Sequence, residues 1–415
     1  MPRLVLCLLG LIALCGFKFN DVEYPLPDFS KNSPEWHARN DANIPDEKEL
    51  KAILRSVQEN KAVFALNSDD YDKDGVANQY DPSPYDWREI GYNPFAALAF
   101  LNWDHKWNNF SFQGEKLDKA VAALKKAGIT YVRMDFGWSD IEESEGKWDF
   151  SRYDRIVNLL SKNNVRILGI FSYCSGWAAE PPDYLWCSAP RENKFFVNFA
   201  TAVIKRYKNK IKYWEVWNEP DSRTYWRPQD MLVRYTSLLQ DVYQSAKIED
   251  PSCKILMGGL AEAYKIEWIY KNGGRDYFDI VNVHVLSSPL RPAPVKSAQS
   301  AIIQVKKIMV RCEDSKKRIW VTEMGCPGVP NKSTVKQWWN GKNPDEQQQA
   351  DWVKLVYTDF IKEEQVDKVF WAFFRDTQDH FGSGVDYFGL IRSDFSEKPS
   401  YKTLEDIIKN WEPPR

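Results

Sequence analysis

The 415-residue chain has almost no net charge: 56 basic residues stand against 58 acidic ones, for −2 at pH 7. That balance argues against a surface built to track a phosphate backbone and leaves a neutral polymer acceptable as a partner. No Gly-rich phosphate loop follows the first expected strand, so a doubly wound nucleotide-binding sheet lacks its main support. None of the seven cysteines falls at a zinc-site spacing. Past the N-terminus, no apolar run is long enough to cross a bilayer.

What the chain does hold begins with its first sixteen residues. One early arginine, Arg3, precedes an apolar run ending near Leu14, which is the length of a signal peptide and short of a membrane span. Cleavage near Gly16 would make the protein secreted or periplasmic. A lipid anchor at Cys15 is the weaker alternative, because Leu14 is bulky where a lipoprotein signal uses a small residue. Cys174, Cys187, Cys253, Cys312 and Cys326 remain after cleavage. Export permits disulfides, and Cys174 with Cys187, flanking one expected loop, is the candidate pair.

Residues 17–90 form a polar, proline-punctuated extension. Within it, Asp70, Asp72, Asp74, Asn78 and Asp81 place side-chain oxygens at loop positions 1, 3, 5, 9 and 12, with Gly75 at 6 and the Val76 carbonyl at 7. This spacing predicts a calcium loop whose ion would be structural; an acidic solvated loop is the plainer reading. A paired calcium module would need a second copy, and the sequence has none.

From about residue 91 to 415, helix and strand patterns alternate. Apolar residues recur at three and four over 117–127, 153–163, 195–209, 229–248, 298–312, 347–364 and 400–410. Short apolar runs separate them, at 96–101, 131–135, 165–170, 212–217, 254–258, 278–284, 318–322 and 368–373. Eight strands and the helices alternating with them predict an α/β fold of the (β/α)8 TIM-barrel kind. The active site of such a barrel lies at the carboxyl ends of its strands. Asn102, Arg133, Asp135, Tyr173, Asn218, Glu219, His284 and Glu323 stand there, with Trp371 or Phe373 from the last strand.

Two of these are glutamates on separate strand ends, in Trp217-Asn218-Glu219-Pro220 and Thr322-Glu323-Met324-Gly325. A carboxylic acid and a carboxylate facing one another are what glycoside hydrolysis requires. One protonates the leaving oxygen; the other attacks the anomeric carbon or activates water. The 18 tryptophans, 20 tyrosines and 22 phenylalanines fit both a ring-rich core and a cleft in which flat rings stack on sugars. Trp103, Trp138, Trp177, Trp338 and Trp339 are candidates for such stacking.

The segments Gly128–Trp138, Gly146–Asp154, Trp214–Pro220, Trp320–Gly325 and Gly389–Pro399 together resemble a clan A retaining glycoside hydrolase, of the family 39 or family 5-like kind. The resemblance covers about residues 91–410. It implies a retaining β-glycosidase acting by double displacement on a carbohydrate substrate, with no metal in the chemistry. It implies Glu219 as acid/base, Glu323 as nucleophile, Arg133 as the cation holding the nucleophile and Asn218 on the sugar 2-hydroxyl. Arg133 could equally serve a barrel-interior ion pair with Asp135 or Glu215. The resemblance further implies substrate contacts for His284 and Trp138; Trp371 and Tyr173, at strand ends, are further substrate-binding candidates, although Trp371 could be barrel core with Phe373 taking its place. The family pattern often has a tyrosine at the position of Leu286, so the partner orienting the nucleophile is open, with Tyr173 or Tyr264 as substitutes. Transglycosylation and a catalytically retired, carbohydrate-binding barrel are the rival outcomes of the same residues. A calcium-dependent adhesion role for residues 17–90 is a third.

Overall fold

The computed structural model describes residues 93–105, 112, 114–181, 185–330, 334–361 and 366–411. The expected signal peptide, the extension and its calcium loop at 70–81 lie outside the described residues. The chain divides after Gly91, and all described residues belong to the second unit, Tyr92–Arg415.

Eight parallel strands close into a barrel: β1 Phe95–Leu98, β2 Tyr131–Gly137, β3 Arg166–Ser172, β4 Tyr213–Asn218, β5 Lys254–Gly259, β6 Ile280–Leu286, β7 Arg318–Gly325 and β8 Lys368–Ala372. Each pairs with the next in sequence, and β1 pairs with both β2 and β8 to complete the ring. The strands read as apolar runs because both their faces are covered, one by the barrel interior and one by helices. Every residue of β4 and of β8 is buried.

Side chains alternate across a strand, so residues two apart face the same way. One layer of the interior takes Ala96, Tyr131, Leu168, Tyr213, Leu256, Ile280, Trp320 and Phe370, one from each strand. Large rings and small residues share that layer, and Tyr213 stacks on Trp320 at 4.9 Å. Two residues further toward the carboxyl ends the composition changes. Arg133, Glu215, Asn282 and Thr322 follow Tyr131, Tyr213, Ile280 and Trp320, and all four are buried. The apolar layer is the floor on which a polar site is built.

The helices show why the periodic segments fold as they do. Glu115–Ala127 buries Leu117, Ala120, Val121, Leu124 and Ala127, carries acid in its first turn and lysines in its last, and ends at Gly128 with φ 78°. A side chain at Gly128 would also press on Ile408. Val233–Glu249 begins later than its periodicity predicts, because Met231 and Leu232 take left-handed backbone conformations that a helix cannot use. Glu346–Leu355 opens with a capping box of Asp345 and Gln348 and runs into a π-helical turn, Val356–Phe360. The expected disulfide is not formed: Cys174 and Cys187 are buried thiols, although Cys174 N–H donates to the carbonyl of neighbouring Trp186. No helix among the described residues is long and apolar enough to cross a membrane.

Candidate active site

Glu219 follows β4 at the point where the strand leaves extended geometry. Trp217 has φ 69° and Glu219 has φ 41°, both in the left-handed region that β-carbons disfavour. The turn is held from several sides. Glu219 N–H donates to Gly259 O at 3.0 Å, and Trp217 Nε1 donates to Tyr225 O at 2.7 Å. Asp221 accepts from the backbone of Ala261 and Glu262, at 3.0 and 2.9 Å, so the loops after β4 and β5 are tied together. Lys265 reinforces the tie by donating to Asp221 O at 3.0 Å.

Glu323 lies near the carboxyl end of β7, two residues before Gly325. One carboxylate oxygen from Glu219, one from Glu323 and a ring nitrogen of His284 all lie within 4.8 Å of one another. The two glutamate side chains are 15% and 14% exposed, enough to be reached from outside and little enough to be poorly solvated.

Arg133 organises this group. Its Nε and Nη2 grip both oxygens of Glu215 at 2.7 and 2.8 Å. Nη2 also donates to Asn218 Oδ1 at 2.8 Å, and Nη1 donates to Glu323 Oε1 at 2.8 Å. Arg133 therefore serves both purposes considered from the sequence: it forms a buried pair with Glu215 and holds the carboxylate of Glu323. Asp135 is not its ion-pair partner among the described residues. With Oδ1 of Asn218 occupied by the arginine, its Nδ2 amine is the end left for a ligand.

The electrostatics divide the two glutamates. Burial pushes Glu219 up to about 7, opposed by the more distant charges of Arg133 and Lys265. Burial also raises Glu323, opposed by His284 and by Arg133, which touches it directly. The direct charge-assisted bond marks Glu323 as the carboxylate stabilised in its ionised form. His284 bonds Glu219 Oε1 through Nδ1 at 2.8 Å, with Nε2 at 3.8 Å from Glu323 Oε1. Burial lowers its pKa, opposed by the charge of Glu323, and the ring stands between two carboxyl groups instead of projecting alone toward a ligand. The partner that orients Glu323 in place of a tyrosine at Leu286 is Arg133. Tyr264 is turned elsewhere, donating to Glu262 at 2.8 Å.

Tyr173 is half-buried and close enough to feel the charges of Asp135, Arg133 and Glu323. It stacks on Tyr225 at 5.9 Å and meets Trp186 edge-on at 4.8 Å. Trp186 and Tyr225, unremarked in the sequence, thus extend an aromatic wall on the Glu219 side. Two expected stacking residues do not reach the cleft. Trp138 is fully enclosed: it stacks on Phe199 at 5.6 Å and its indole N–H donates to Glu142 at 2.8 Å, so it packs the barrel against its helices. Trp371 is enclosed as well, with its N–H on Phe388 O at 3.0 Å. Of the other candidates Trp338 is buried, whereas Trp103, Trp177 and Trp339 are partly exposed.

Two facing carboxyl groups at the ends of the fourth and seventh strands of a closed parallel barrel define a clan A glycoside hydrolase scaffold. Residues 181–389, half of the chain, match the family model described as glycosyl hydrolase catalytic core, and residues 106–190 match one described as beta-galactosidase. The chain belongs to the glycosyl hydrolase catalytic core family. Over 106 residues it is 30% identical to the aryl-phospho-beta-D-glucosidase BglA of Bacillus subtilis (strain 168), a match covering 24% of this chain and 22% of that one. Over 166 residues it is 25% identical to endo-1,4-beta-xylanase A of Phanerodontia chrysosporium, covering 37% of this chain and 38% of that one. The structure of a family 39 glycoside hydrolase from Bacteroides cellulosilyticus WH2 superposes with TM-score 0.62 at 22% identity, covering 78% of this chain and 65% of that one. A family 39 beta-xylosidase from Caulobacter crescentus gives TM-score 0.56 at 14% identity, covering 76% and 70%. At these identities the structural likeness is one of fold. The chain spans well under half the length of the curated relatives it matches.

Proposed function

We propose that this protein is a retaining β-glycoside hydrolase acting on β-linked oligo- or polysaccharide. The observation that carries the reading is the short reach between the carboxylates, whose nearest oxygens lie within 4.8 Å. Retaining enzymes hold their carboxyl groups about 5–5.5 Å apart, whereas inverting ones leave about 6.5–9.5 Å for a water.

In the first step Glu219, protonated because burial has raised it, gives its proton to the glycosidic oxygen. Glu323, kept ionised by Arg133, attacks the anomeric carbon, and the bond to the leaving group breaks. The Asn218 amine is placed to donate to the sugar 2-hydroxyl, a contact that strengthens in the transition state. In the second step Glu219, now a carboxylate, takes a proton from water. That water displaces Glu323 and restores both groups. His284 can hold Glu219 through either state, since its Nδ1–H donates to Oε1 both in the carboxylate and in the acid whose proton sits on Oε2, toward the glycosidic oxygen. Tyr173, Trp186 and Tyr225, on the Glu219 side, form the wall facing the departing group.

The test is hydrolysis of a panel of aryl β-glycosides, followed by mass spectrometry of enzyme treated with the 2-deoxy-2-fluoro analogue of the best sugar. The reading expects a glycosyl adduct on the peptide carrying Glu323. Turnover without an adduct, or an adduct on another residue, contradicts it.

Two proposals rest on sequence alone. Residues 1–16 direct export, checked by the N-terminus of protein recovered outside the cytoplasm. The Asp70–Asp81 loop binds calcium structurally, checked by a calcium-dependent rise in melting temperature that Asp74→Ala abolishes.

A further inference from the structure

We propose that Asp135 is the specificity-determining carboxylate of the sugar-binding side of this cleft, accepting a pair of hydroxyls from a neutral pyranose and turning away uronic acids and sugar phosphates. The inference rests on the glycosidase reading and names the substrate class of the same site.

Asp135 lies on the interior face of β2, two residues beyond Arg133 and four beyond Tyr131, in register with Ile170 of β3. It is half-buried, and burial is the main cause that raises its carboxyl above the usual range. Its one hydrogen bond among the described residues comes from Trp103 Nε1 to Oδ2 at 3.1 Å. A carboxylate offers about four acceptor positions, and one that is partly withdrawn from water loses stability unless donors fill them. The other carboxylates of the site are provided for in the protein itself. Glu215 has Arg133 and the Gly259 N–H, Glu323 has Arg133, and Glu219 has His284. Asp135 alone among them lacks an ion-pair or histidine partner, and it is the natural receiver of donors brought by a ligand. Two adjacent sugar hydroxyls match the geometry of a carboxylate, as an arginine fork does.

The surroundings suit a sugar ring. Trp103, which fixes one oxygen, stacks on Phe100 at 4.1 Å, and Phe100 lies 4.8 Å from Phe373. The carboxylate thus stands at the edge of an aromatic surface contributed by the ends of β1 and β8, which can take the C–H face of a pyranose.

The charges select against an anion. Asp135 and Glu323 both act on Tyr173, and Glu215 acts on Asp135 from below, while Arg133 is committed to Glu215, Asn218 and Glu323. Lys265, the other cation acting on Glu219, is held by Asp221 O and by Glu262 at 3.0 Å each. A ligand carboxylate or phosphate placed against Asp135 meets like charge in a poorly solvated site.

The test measures binding of neutral monosaccharides and their matching uronic acids by tryptophan fluorescence, in wild type, Asp135→Asn and Asp135→Ala, with turnover of aryl glycosides recorded separately. The expected wild type binds the preferred neutral sugar at least tenfold more tightly than its uronic acid. Asp135→Asn should narrow that gap to threefold or less. Asp135→Ala should weaken the intact sugar about a hundredfold, but affect the analogue lacking the paired hydroxyls by less than threefold. Equal losses on intact and deoxy sugars, an unchanged gap in Asp135→Asn, a wild type that prefers the uronic acid, or one that binds neither would each overturn the proposal. Sugar binding with this pattern but no turnover would instead sink the hydrolase reading and leave the role of Asp135 standing.

Discussion

Replacing Glu219 with glutamine removes one titration from the folded protein and changes little else, because the amide keeps the size of the acid and its carbonyl oxygen can accept from His284 Nδ1. In the folded enzyme burial raises Glu219 from 4.5 to about 7. Between those values the folded chain binds a proton that the unfolded chain has released, so folding stability falls as pH rises through the window. The contribution is fully present below about pH 4.5 and gone above about pH 8. A pKa difference of about 2.5 is worth about 3 kcal/mol at most, and about 2.5 kcal/mol of it is lost between about pH 5 and pH 8.5. Glu219→Gln has no such loss. Its stability relative to wild type should therefore rise by about 2–3 kcal/mol across that interval, read as urea midpoints and slopes at the two pH values. His284 and Glu323 are present in both proteins, so most of their own pH dependence cancels. A difference that stays flat to within about 0.5 kcal/mol would refute the claim that Glu219 is held protonated by burial.

Three further outcomes follow from the same geometry. In wild type the alkaline limb of kcat/KM should fall near pH 7, set by Glu219, with an acid limb set by Glu323; only the alkaline limb should vanish in Glu219→Gln, measured on a substrate whose leaving group needs no proton. Arg133→Met leaves Glu215 buried without its cation and Glu323 without its donor. It should cost about 3–5 kcal/mol of stability by urea unfolding and lower kcat on every substrate. Gly259→Ala would drive a β-carbon into the His284 ring; activity should fall at least tenfold while circular dichroism shows the barrel intact, and wild-type activity would contradict a role for His284 in holding Glu219.

The barrel was legible because parallel strands buried on both faces leave continuous apolar runs, and amphipathic helices leave a different period between them. Glu219 and Glu323 were legible for a related reason, as charged residues closing apolar strands. Tryptophan roles were not. An indole is equally at home between barrel and helix, where Trp138 packs on Phe199, and in a cleft wall, where Trp186 meets Tyr173. Only the three-dimensional neighbours separate those cases. The tie of Asp221 and Lys265 across two loops leaves no local pattern at all. The absent tyrosine at Leu286 left Tyr173 and Tyr264 as the candidate orienting groups; Arg133, expected only as the cation beside Glu323, makes the direct bond itself and fills that place too. The helix expected at 229–248 started late because Met231 and Leu232 turn left-handed, a choice made by the loop's tertiary setting over its propensity.

The most direct measurement is azide rescue of two alanine variants, Glu219→Ala and Glu323→Ala, on an activated aryl β-glycoside, with the anomeric configuration of each glycosyl azide read by proton NMR. The account predicts a β-azide from Glu219→Ala, because azide replaces water on an intact glycosyl-enzyme. It predicts an α-azide from Glu323→Ala, because azide replaces the nucleophile itself. The opposite assignment, or inversion by the wild-type enzyme, would contradict double displacement with these two residues in these roles.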